Sequence, residues 1–532
     1  MADVGVGKEL VPELRRWLAP QLPDFLIRQR WFGGKARTIS SAELTDVVPI
    51  RMQTSEALLL VVAVKYVDNI EESYAMPVLR AANATPETES SSLKFQMAEA
   101  GSPVILTDAL KNEEFLSTLL DLIRQKAIVH GEKGELRALQ TAAYSRLYPS
   151  SAGSLQPKPV RAEQSNTSII YGSHLILKFF RRIQEGVNPD LEIGKFLTEN
   201  TSFSNVPPLA GWLEYHTRDG KQVAQGILQQ FVPNEGDAWS YTLRSLEAFY
   251  TQVAQHSGGT AGRTPSESTQ PEAIVPEFAR TTVDPYMSAA ELLGRRTAEM
   301  HLALASESRD PAFVPEPFTM EFQGDLEQSI VGLMGRVFAL VRDKISALPV
   351  EWRETAANLA AREPEIASRF RAALSQPIRA MRTRIHGDYH LGQVLRAGSD
   401  FVIIDFEGEP ARPIAERRIK RSPLQDVAGM LRSFHYAAFA PLLGENKMQA
   451  EDGRKMSRWA ESWNNWVAER YLRKYFATSG AASYLPQSQQ DTQTLLQLHL
   501  LEKAIYELGY ELNNRPTWVG IPLQGISKLL SQ

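Results

Sequence analysis

The chain contains no cysteine, which excludes disulfides, thiolate metal sites and cysteine nucleophiles. It has almost no excess of charge. Its 58 Lys and Arg stand against 62 Asp and Glu, a formal −4, so neither a nucleic acid nor an anionic membrane is an expected partner. Long apolar runs are missing as well. Ala57–Val64 is the longest, far below the ~20 residues needed to span a bilayer. The first twenty residues carry Asp3, Lys8, Glu9 and Glu13 among their apolar positions, which is not the pattern of a secretion signal. No fixed-period repeat is present. These absences leave a cytoplasmic soluble protein of 532 residues, long enough for about three domains of ~150 residues each.

Three units are expected. In residues 1–110, Leu10, Leu14, Leu18 and Leu22 recur at helical spacing and predict one helix over Leu10–Leu22. Trp31 and Phe32 precede the Gly33-Gly34 turn inside the basic stretch Arg28–Arg37. That stretch reads either as an aromatic plug on a core edge or as a basic loop facing an active site. Glu43–Ile50, Glu56–Val67 and Glu72–Leu79 are rich in β-branched residues and predict strands, and Ala81–Ser92 reads as an exposed loop. In residues 111–231, helical spacing runs over Glu113–His130, followed by a strand at Glu135–Thr141 and hairpins returning at Tyr171–His174 and Asp219-Gly220. A break at Val232-Pro233-Asn234 leads into residues 232–532, where helices dominate. They are expected over Ala238–His256, Ala289–Leu304, Leu326–Val341, Glu351–Phe370, Ser457–Phe476 and Leu495–Asn513. Between the first two of these, residues 256–282 are rich in Ser, Gly, Thr, Pro and Glu and read as a mobile insertion. His301 reads as structural. Arg417–Arg421 reads as a solvated turn or an anion contact. Ser422-Pro423-Leu424-Gln425 carries the N-cap, N1 and N3 residues of a helix start.

The chemistry concentrates in Arg384–Pro410. His386, Asp388 and His390 share a short loop; Gln393 follows, then an apolar hairpin that ends on Asp405. Two carboxylates brought together by a hairpin suit phosphoryl transfer: Asp388 as base toward an attacking hydroxyl, Asp405 as ligand of a metal on nucleotide phosphates. Gln393 supplies a neutral oxygen, and Mg²⁺ needs few protein ligands when phosphates and water complete its octahedron. His386 reads as a scaffold that hydrogen-bonds backbone. A metal hydrolase using His386, Asp388 and His390 is the rival reading. Upstream, the polar turn Ser165, Asn166, Thr167 and Ser168 can cradle phosphates, with Lys178 in the next strand to pair with them. Lys178 reads otherwise as a solvent-facing strand lysine. Glu192 sits early in the helix opened by Asn188-Pro189, where it either complements the helix dipole or pairs with Lys178.

His-Gly-Asp-Tyr-His-Leu-Gly-Gln-Val-Leu (386–395) with Ile404-Asp-Phe-Glu-Gly-Glu-Pro410 resembles the catalytic segment of bacterial maltokinases, members of the aminoglycoside-phosphotransferase-like, protein-kinase-like group. Trp31-Phe-Gly-Gly-Lys-Ala36, Leu424-Gln-Asp-Val-Ala-Gly-Met-Leu-Arg-Ser-Phe434 and Tyr506-Glu-Leu-Gly-Tyr-Glu-Leu-Asn-Asn-Arg-Pro516 extend the resemblance over nearly the whole chain. It implies an α+β fold: a bilobal protein-kinase-like arrangement with an N-terminal cap, a strand-rich ATP-binding lobe and a helical lobe. It implies phosphorylation of maltose by ATP and Mg²⁺ at the anomeric hydroxyl, feeding α-glucan synthesis, and an association with a trehalose-converting enzyme. Asp388 would then be the base, Gln393 and Asp405 the Mg²⁺ ligands, and Lys178 the phosphate contact with Glu192 as its partner. Gln230, Phe231 and Val232 would form the adenine hinge, and Asp426 would brace the catalytic loop. His390, Tyr506, Glu511, Asn514 and Arg515 are the candidates for the sugar. A glycine-rich phosphate loop is absent, replaced by Gln164–Ser168, and the insertion at 256–282 is unexpected for the family. Two other readings stay open: a kinase of glucosamine or an aminoglycoside, and a non-catalytic nucleotide- or glycan-binding scaffold.

Overall fold

A computed structural model describes residues 11–81, 93–95, 104–148, 153, 155–160, 166–257, 274–306, 309–443 and 450–531. Residues 82–92 of the predicted loop, Ser165 and residues 258–273 of the 256–282 insertion lie outside those residues, and Ala81 ends a strand. The chain divides into two compact units. The first comprises Met1–Asn200, Pro207–Pro233 and Ala411–Arg417, and the second the remainder, with a boundary between Pro233 and Asn234.

The first unit contains two antiparallel sheets. Its strands are β1 (Ile39–Arg51), β2 (Glu56–Tyr66), β3 (Glu71–Ala81), β4 (Leu93–Phe95), β5 (Val104–Asp108), β6 (Ile128–His130), β7 (Gly134–Gln140), β8 (Pro157–Pro159), β9 (Asn166–Tyr171), β10 (Leu175–Phe180), β11 (Arg182–Ile183), β12 (Leu209–Thr217) and β13 (Gln222–Gln230). One sheet is ordered β1-β2-β3-β5-β4, with β11 paired to β3; the other is β6-β7-β12-β13-β10-β9-β8. The uninterrupted apolar run in β2 has a physical reason. Side chains alternate across a strand, and both faces of β2 are covered. Leu58, Leu60, Val62 and Val64 join a core with Leu14, Leu18, Leu22 and Phe25, while Ala57, Leu59 and Val61 join the core of the second sheet.

The single N-terminal helix expected over Leu10–Leu22 is instead two, Val11–Leu18 and Leu22–Arg28. Pro20 cannot continue a helix, and Pro23 starts the next. The leucine stripe survives, with Leu14, Leu18 and Leu22 all buried. The helix expected to reach His130 ends at Gln125, where Lys126 adopts φ +52° and turns the chain into β6. Trp31 and Phe32 form the aromatic plug of the two readings offered. Phe32 is buried with its ring 5.0 Å from that of Tyr74, and Trp31 lies under the Arg181 guanidinium.

The second unit is built on the helices Ala238–Ser257, Arg280–Leu304, Met320–Lys344, Val350–Ala361, Glu363–Leu374, Leu424–Phe439, Ala450–Ser479, Gln489–Asn514 and Gly520–Ser531. The helix expected over Glu351–Phe370 is split at Arg362 because Pro364 occupies the first turn of its successor. The expected cap at Ser422 is shifted: the helix begins at Leu424, and the Ser422 hydroxyl accepts from the Leu424 N–H at 3.3 Å rather than forming a box with Gln425. No helix among the described residues is long and apolar enough to cross a membrane.

Two predictions follow from this packing. Helices Arg280–Leu304 and Ala450–Ser479 approach so closely at Gly294 that a methyl group there runs into the Tyr471 carbonyl. Gly294→Ala should cost about 1–3 kcal/mol of unfolding free energy, read from denaturant midpoints, because a backbone atom cannot step aside. His435 is buried, its Nδ1 has no hydrogen-bond partner among the described residues, and burial, with Arg432 and Lys528 nearby, holds its imidazole well below the ordinary range. The unfolded chain therefore takes up a proton below about pH 6.5 that the native state refuses, and stability falls as pH drops from that value. His435→Leu should flatten the decline between about pH 6.5 and 5, by up to about 1.4 kcal/mol per pH unit. Equal slopes in the two proteins would refute the assignment.

Candidate functional site

In the second unit β14 (Glu316–Pro317) pairs antiparallel with β15 (Met381–Arg382); the chain from Arg384 then forms a loop and the antiparallel hairpin of β16 (Val394–Ala397) and β17 (Asp400–Ile403). The hairpin is fastened from several directions. Asn205 donates to the Phe401 carbonyl at 2.9 Å and accepts at its own carbonyl from Ile403 N–H at 2.8 Å. Arg296 Nε donates to Asp400 at 2.9 Å.

Asp426, buried in the first turn of Leu424–Phe439, holds the loop. Its Oδ2 accepts from His386 N–H at 2.7 Å, its Oδ1 from Gly387 N–H at 2.9 Å, and His301 Nε2 donates to Oδ2 at 3.1 Å. Burial alone would push this carboxyl up. The His301 hydrogen bond, with the electrostatic influence of the His301 and His386 rings and the Gly387 N–H, brings it below the ordinary carboxylate range. His301 Nδ1 accepts from the Tyr475 hydroxyl at 3.0 Å, so the structural role expected for His301 is the one it has. His386 donates from Nε2 to the Ile404 carbonyl at 2.9 Å, and its Nδ1 faces Asp388 N–H at 3.4 Å. Gly387 takes φ +86°, a conformation open to glycine, with Gly408 packed against it.

Both ring nitrogens of His386 are committed to backbone, and His390 Nδ1 accepts from Gly392 N–H at 3.0 Å. The His-x-Asp-x-His metal site of the rival reading therefore does not assemble. Burial holds the His390 imidazole below its usual range, which keeps it neutral with its proton on Nε2. Gln393 Nε2 lies 3.0 Å from Asp405 Oδ2. With the amide turned over, Gln393 Oε1 and Asp405 Oδ2 would be two adjacent hard oxygen donors, residues that fit Mg²⁺ were it bound. Asp405 itself adopts φ +69°, a strained backbone of the kind found at functional sites.

Asp388 has a partner the sequence reading passed over. Lys503, in helix Gln489–Asn514, places Nζ 3.4 Å from Asp388 Oδ1 and 4.8 Å from the ring centroid of Tyr506. Tyr506 hydrogen-bonds Glu409 through its hydroxyl, and burial followed by that carboxylate pushes the phenol up. His390 and Tyr506 thus share the surroundings of Asp388. Glu511, Asn514 and Arg515 have other engagements. Glu511 is buried and accepts from Arg515 Nε at 3.0 Å and from the Tyr436 hydroxyl at 3.2 Å; Arg515 lies over Trp518; Asn514 donates to the Tyr510 carbonyl. Lys503, Tyr506, Glu507 and Tyr510 fall at i, i+3, i+4 and i+7 on a single helix face, and that spacing was the available signal.

In the first unit, Lys178 on β10 is opposite Ser168 on β9 and Ile227 on β13. Its Nζ lies 3.4 Å from Asp190 Oδ2, and Asp190 is buried. Asp190 was also missed, two residues before the Glu192 chosen from sequence; Glu192 is half-buried in the first turn of Pro189–Asn200. Thr167 accepts from Arg181 Nε at 3.1 Å, and Asn166 begins β9. Gln230 N–H donates to Pro208 and Phe231 N–H to His174, so this segment leaves β13 held by backbone on both sides; Val232 follows it.

A strand-rich first unit and a helical second unit carrying a His-Gly-Asp loop define a kinase-like α+β fold, as expected. Residues 25–111 match the maltokinase N-terminal cap domain. Glucosamine kinase of Mycolicibacterium smegmatis is 28% identical over 290 residues, 53% of this chain and 59% of that protein, so the match spans less than two thirds of the relative. Glucosamine kinase of Streptacidiphilus jiangxiensis is 21% identical over 379 residues, 70% of this chain and 72% of that protein. A solved glucosamine kinase superposes with a TM-score of 0.62 at 17% identity, covering 96% of this chain and 97% of that one. A glucosamine kinase complex with glucosamine, ADP and inorganic phosphate gives 0.60 at 17% identity over the same shares.

Asp426→Asn would turn an amide N–H toward a backbone N–H and leave a buried donor unsatisfied. It should cost about 2–4 kcal/mol of stability, checked by chemical denaturation, and should loosen the loop it holds. Protection of the His386 and Gly387 amides against hydrogen exchange should fall with it. Full protection in the variant would show the loop is held by other means.

Proposed function

We propose that this chain is an ATP-dependent sugar kinase that phosphorylates maltose at its anomeric hydroxyl, giving maltose 1-phosphate and ADP. The constellation of Asp388, Gln393 and Asp405 supports kinase chemistry, and the cap-domain match over residues 25–111 favours maltose. Asp388 takes the proton of the acceptor hydroxyl while that oxygen bonds to the γ-phosphorus; the bond from the γ-phosphorus to the β–γ bridging oxygen breaks, and ADP leaves with its electron pair. The proton then passes from Asp388 to solvent. Gln393 and Asp405 would hold Mg²⁺, which supplies counter-charge to the phosphates. Lys178 and the polar start of β9 would contact those phosphates, with Asp190 and Glu192 anchoring Lys178, and Gln230–Val232 would receive the adenine. His390 and Tyr506 would face the acceptor. Maltose 1-phosphate is an activated glycosyl donor, which suits supply to α-glucan synthesis and an association with a trehalose-converting enzyme.

Glucosamine is the second reading, favoured by the relatives that align with more than half of the chain. A panel of maltose, glucose, glucosamine and an aminoglycoside, read by ADP release, separates the two. Maltose should give the highest kcat/KM, and turnover on glucosamine alone would overturn the maltose assignment. Asp388→Asn should lower kcat by about 10²–10⁴-fold while nucleotide affinity, measured by calorimetry, stays near the wild-type value. Unimpaired turnover would remove Asp388 from the role of base.

A further inference from the structure

We propose that Lys503 is a positioning residue for Asp388: its ammonium occupies Oδ1 and so turns the carboxylate to offer Oδ2 to the acceptor hydroxyl. The inference rests on the reading of Asp388 as the base. The backbone at Asp388 is fixed by the Gly387 N–H on Asp426 and by buried Tyr389. A fixed backbone still leaves the side chain several staggered rotamers. The Lys503 contact at 3.4 Å is what selects among them.

Lys503 is itself held. It rises from helix Gln489–Asn514 between Glu502 and Ala504, both buried, and its ammonium lies over the Tyr506 ring. Burial opposes its charge, but the carboxylates of Asp388, Glu409 and Glu507 outweigh that and raise its pKa, so the ammonium persists at neutral pH. The other carboxylates around it are already engaged. Arg432 Nε donates to Glu507 at 2.8 Å, and Tyr506 hydrogen-bonds Glu409. The ammonium is therefore aimed at Asp388 by its surroundings. The pair is also sheltered, with side-chain exposures of 27% and 21%, unlike a freely solvated surface ion pair. A second feature fits the same role. A carboxylate has several lone-pair directions, so an ammonium on one oxygen leaves the other free to accept a hydroxyl proton.

Lys503→Met keeps most of the stem and removes the charge. With the acceptor that turns over best, and ATP, kcat should fall about 10–100-fold, the scale of a small misplacement of a reacting group. KM for the acceptor should change less than about threefold, and ATP affinity should not move. Lys503→Arg should recover most of kcat. In Lys503→Ala, added ethylammonium should restore part of it, a rescue that also serves if the methionine variant folds poorly. A kcat within about twofold of wild type in Lys503→Met, or a loss carried by KM with kcat retained, overturns the inference. Asp388→Asn separates the layers. If that variant is inactive while Lys503→Met is fully active, only the role of Lys503 falls. If Asp388→Asn is itself active, the reading of the base falls first.

Discussion

The buried carboxylate of Asp426 is the constraint on which the His386–His390 loop depends. Removing a carboxylate from water costs several kcal/mol unless its oxygens are fully engaged. Here two backbone N–H groups and an imidazole engage them. Those two N–H groups belong to His386 and Gly387, so the charge that must be satisfied is satisfied only in one conformation of the loop. The loop geometry and the burial of the charge are one requirement. His301 links the same carboxylate to Tyr475, and hence to the helix Ala450–Ser479. The helix packing of the second unit is thereby tied to the position of Asp388, two residues beyond His386.

In the first unit the corresponding constraint is β2. A strand with one wet face alternates polar and apolar residues; β2 does not, because each face closes a different core. The N-terminal helices close one face, and the helix Glu113–Gln125 with the second sheet contributes to the other. The region matching a cap domain is therefore not an appendage on a finished sheet. Its central strand belongs to both cores, and the short strand β11, leaving the second sheet after β10, pairs back onto β3. Arg181 between them reaches Asp108 and Trp31. The aromatic plug is one end of that tie.

Much of this was legible from residue order, and the exceptions have local causes. The strands, the hairpin returns and the leucine stripes were plain because period-2 and period-3.6 patterns are written directly in the chain. Helix ends were not, where Pro20, Pro23 and Pro364 override a continuing apolar pattern and where Lys126 takes a left-handed cap with no glycine to announce it. The residues of the loop, His386, Gly387, Asp388, Gln393 and Asp405, could be named because they lie within a short stretch. Lys503 and Asp190 could not be ranked. Each earns its place through a contact whose partner is decided by tertiary packing, Lys503 with a residue 115 positions away. A lysine on the polar face of an amphipathic helix looks the same in sequence whether it meets solvent or a catalytic acid.

The C-terminal motif shows the converse. Glu511, Asn514 and Arg515 were attractive as sugar ligands because the segment around them carries the family resemblance. In the folded chain Glu511 and Arg515 are turned onto each other, Arg515 stacks on Trp518, and Asn514 closes on its own helix. These are the contacts of a helix terminus being fixed. Eight residues separate Glu511 from Lys503, about 12 Å of helix, and fixing one end of a stiff element sets the register of the other. Arg432, bridged to Glu507, clamps the same helix midway. The motif and the clamp together aim Lys503 and Tyr506 at Asp388. In this arrangement Glu511, Asn514 and Arg515 fix the helix end, Tyr506 at the start of the motif reaches the surroundings of Asp388, and Lys503, which meets Asp388 directly, lies just outside the motif.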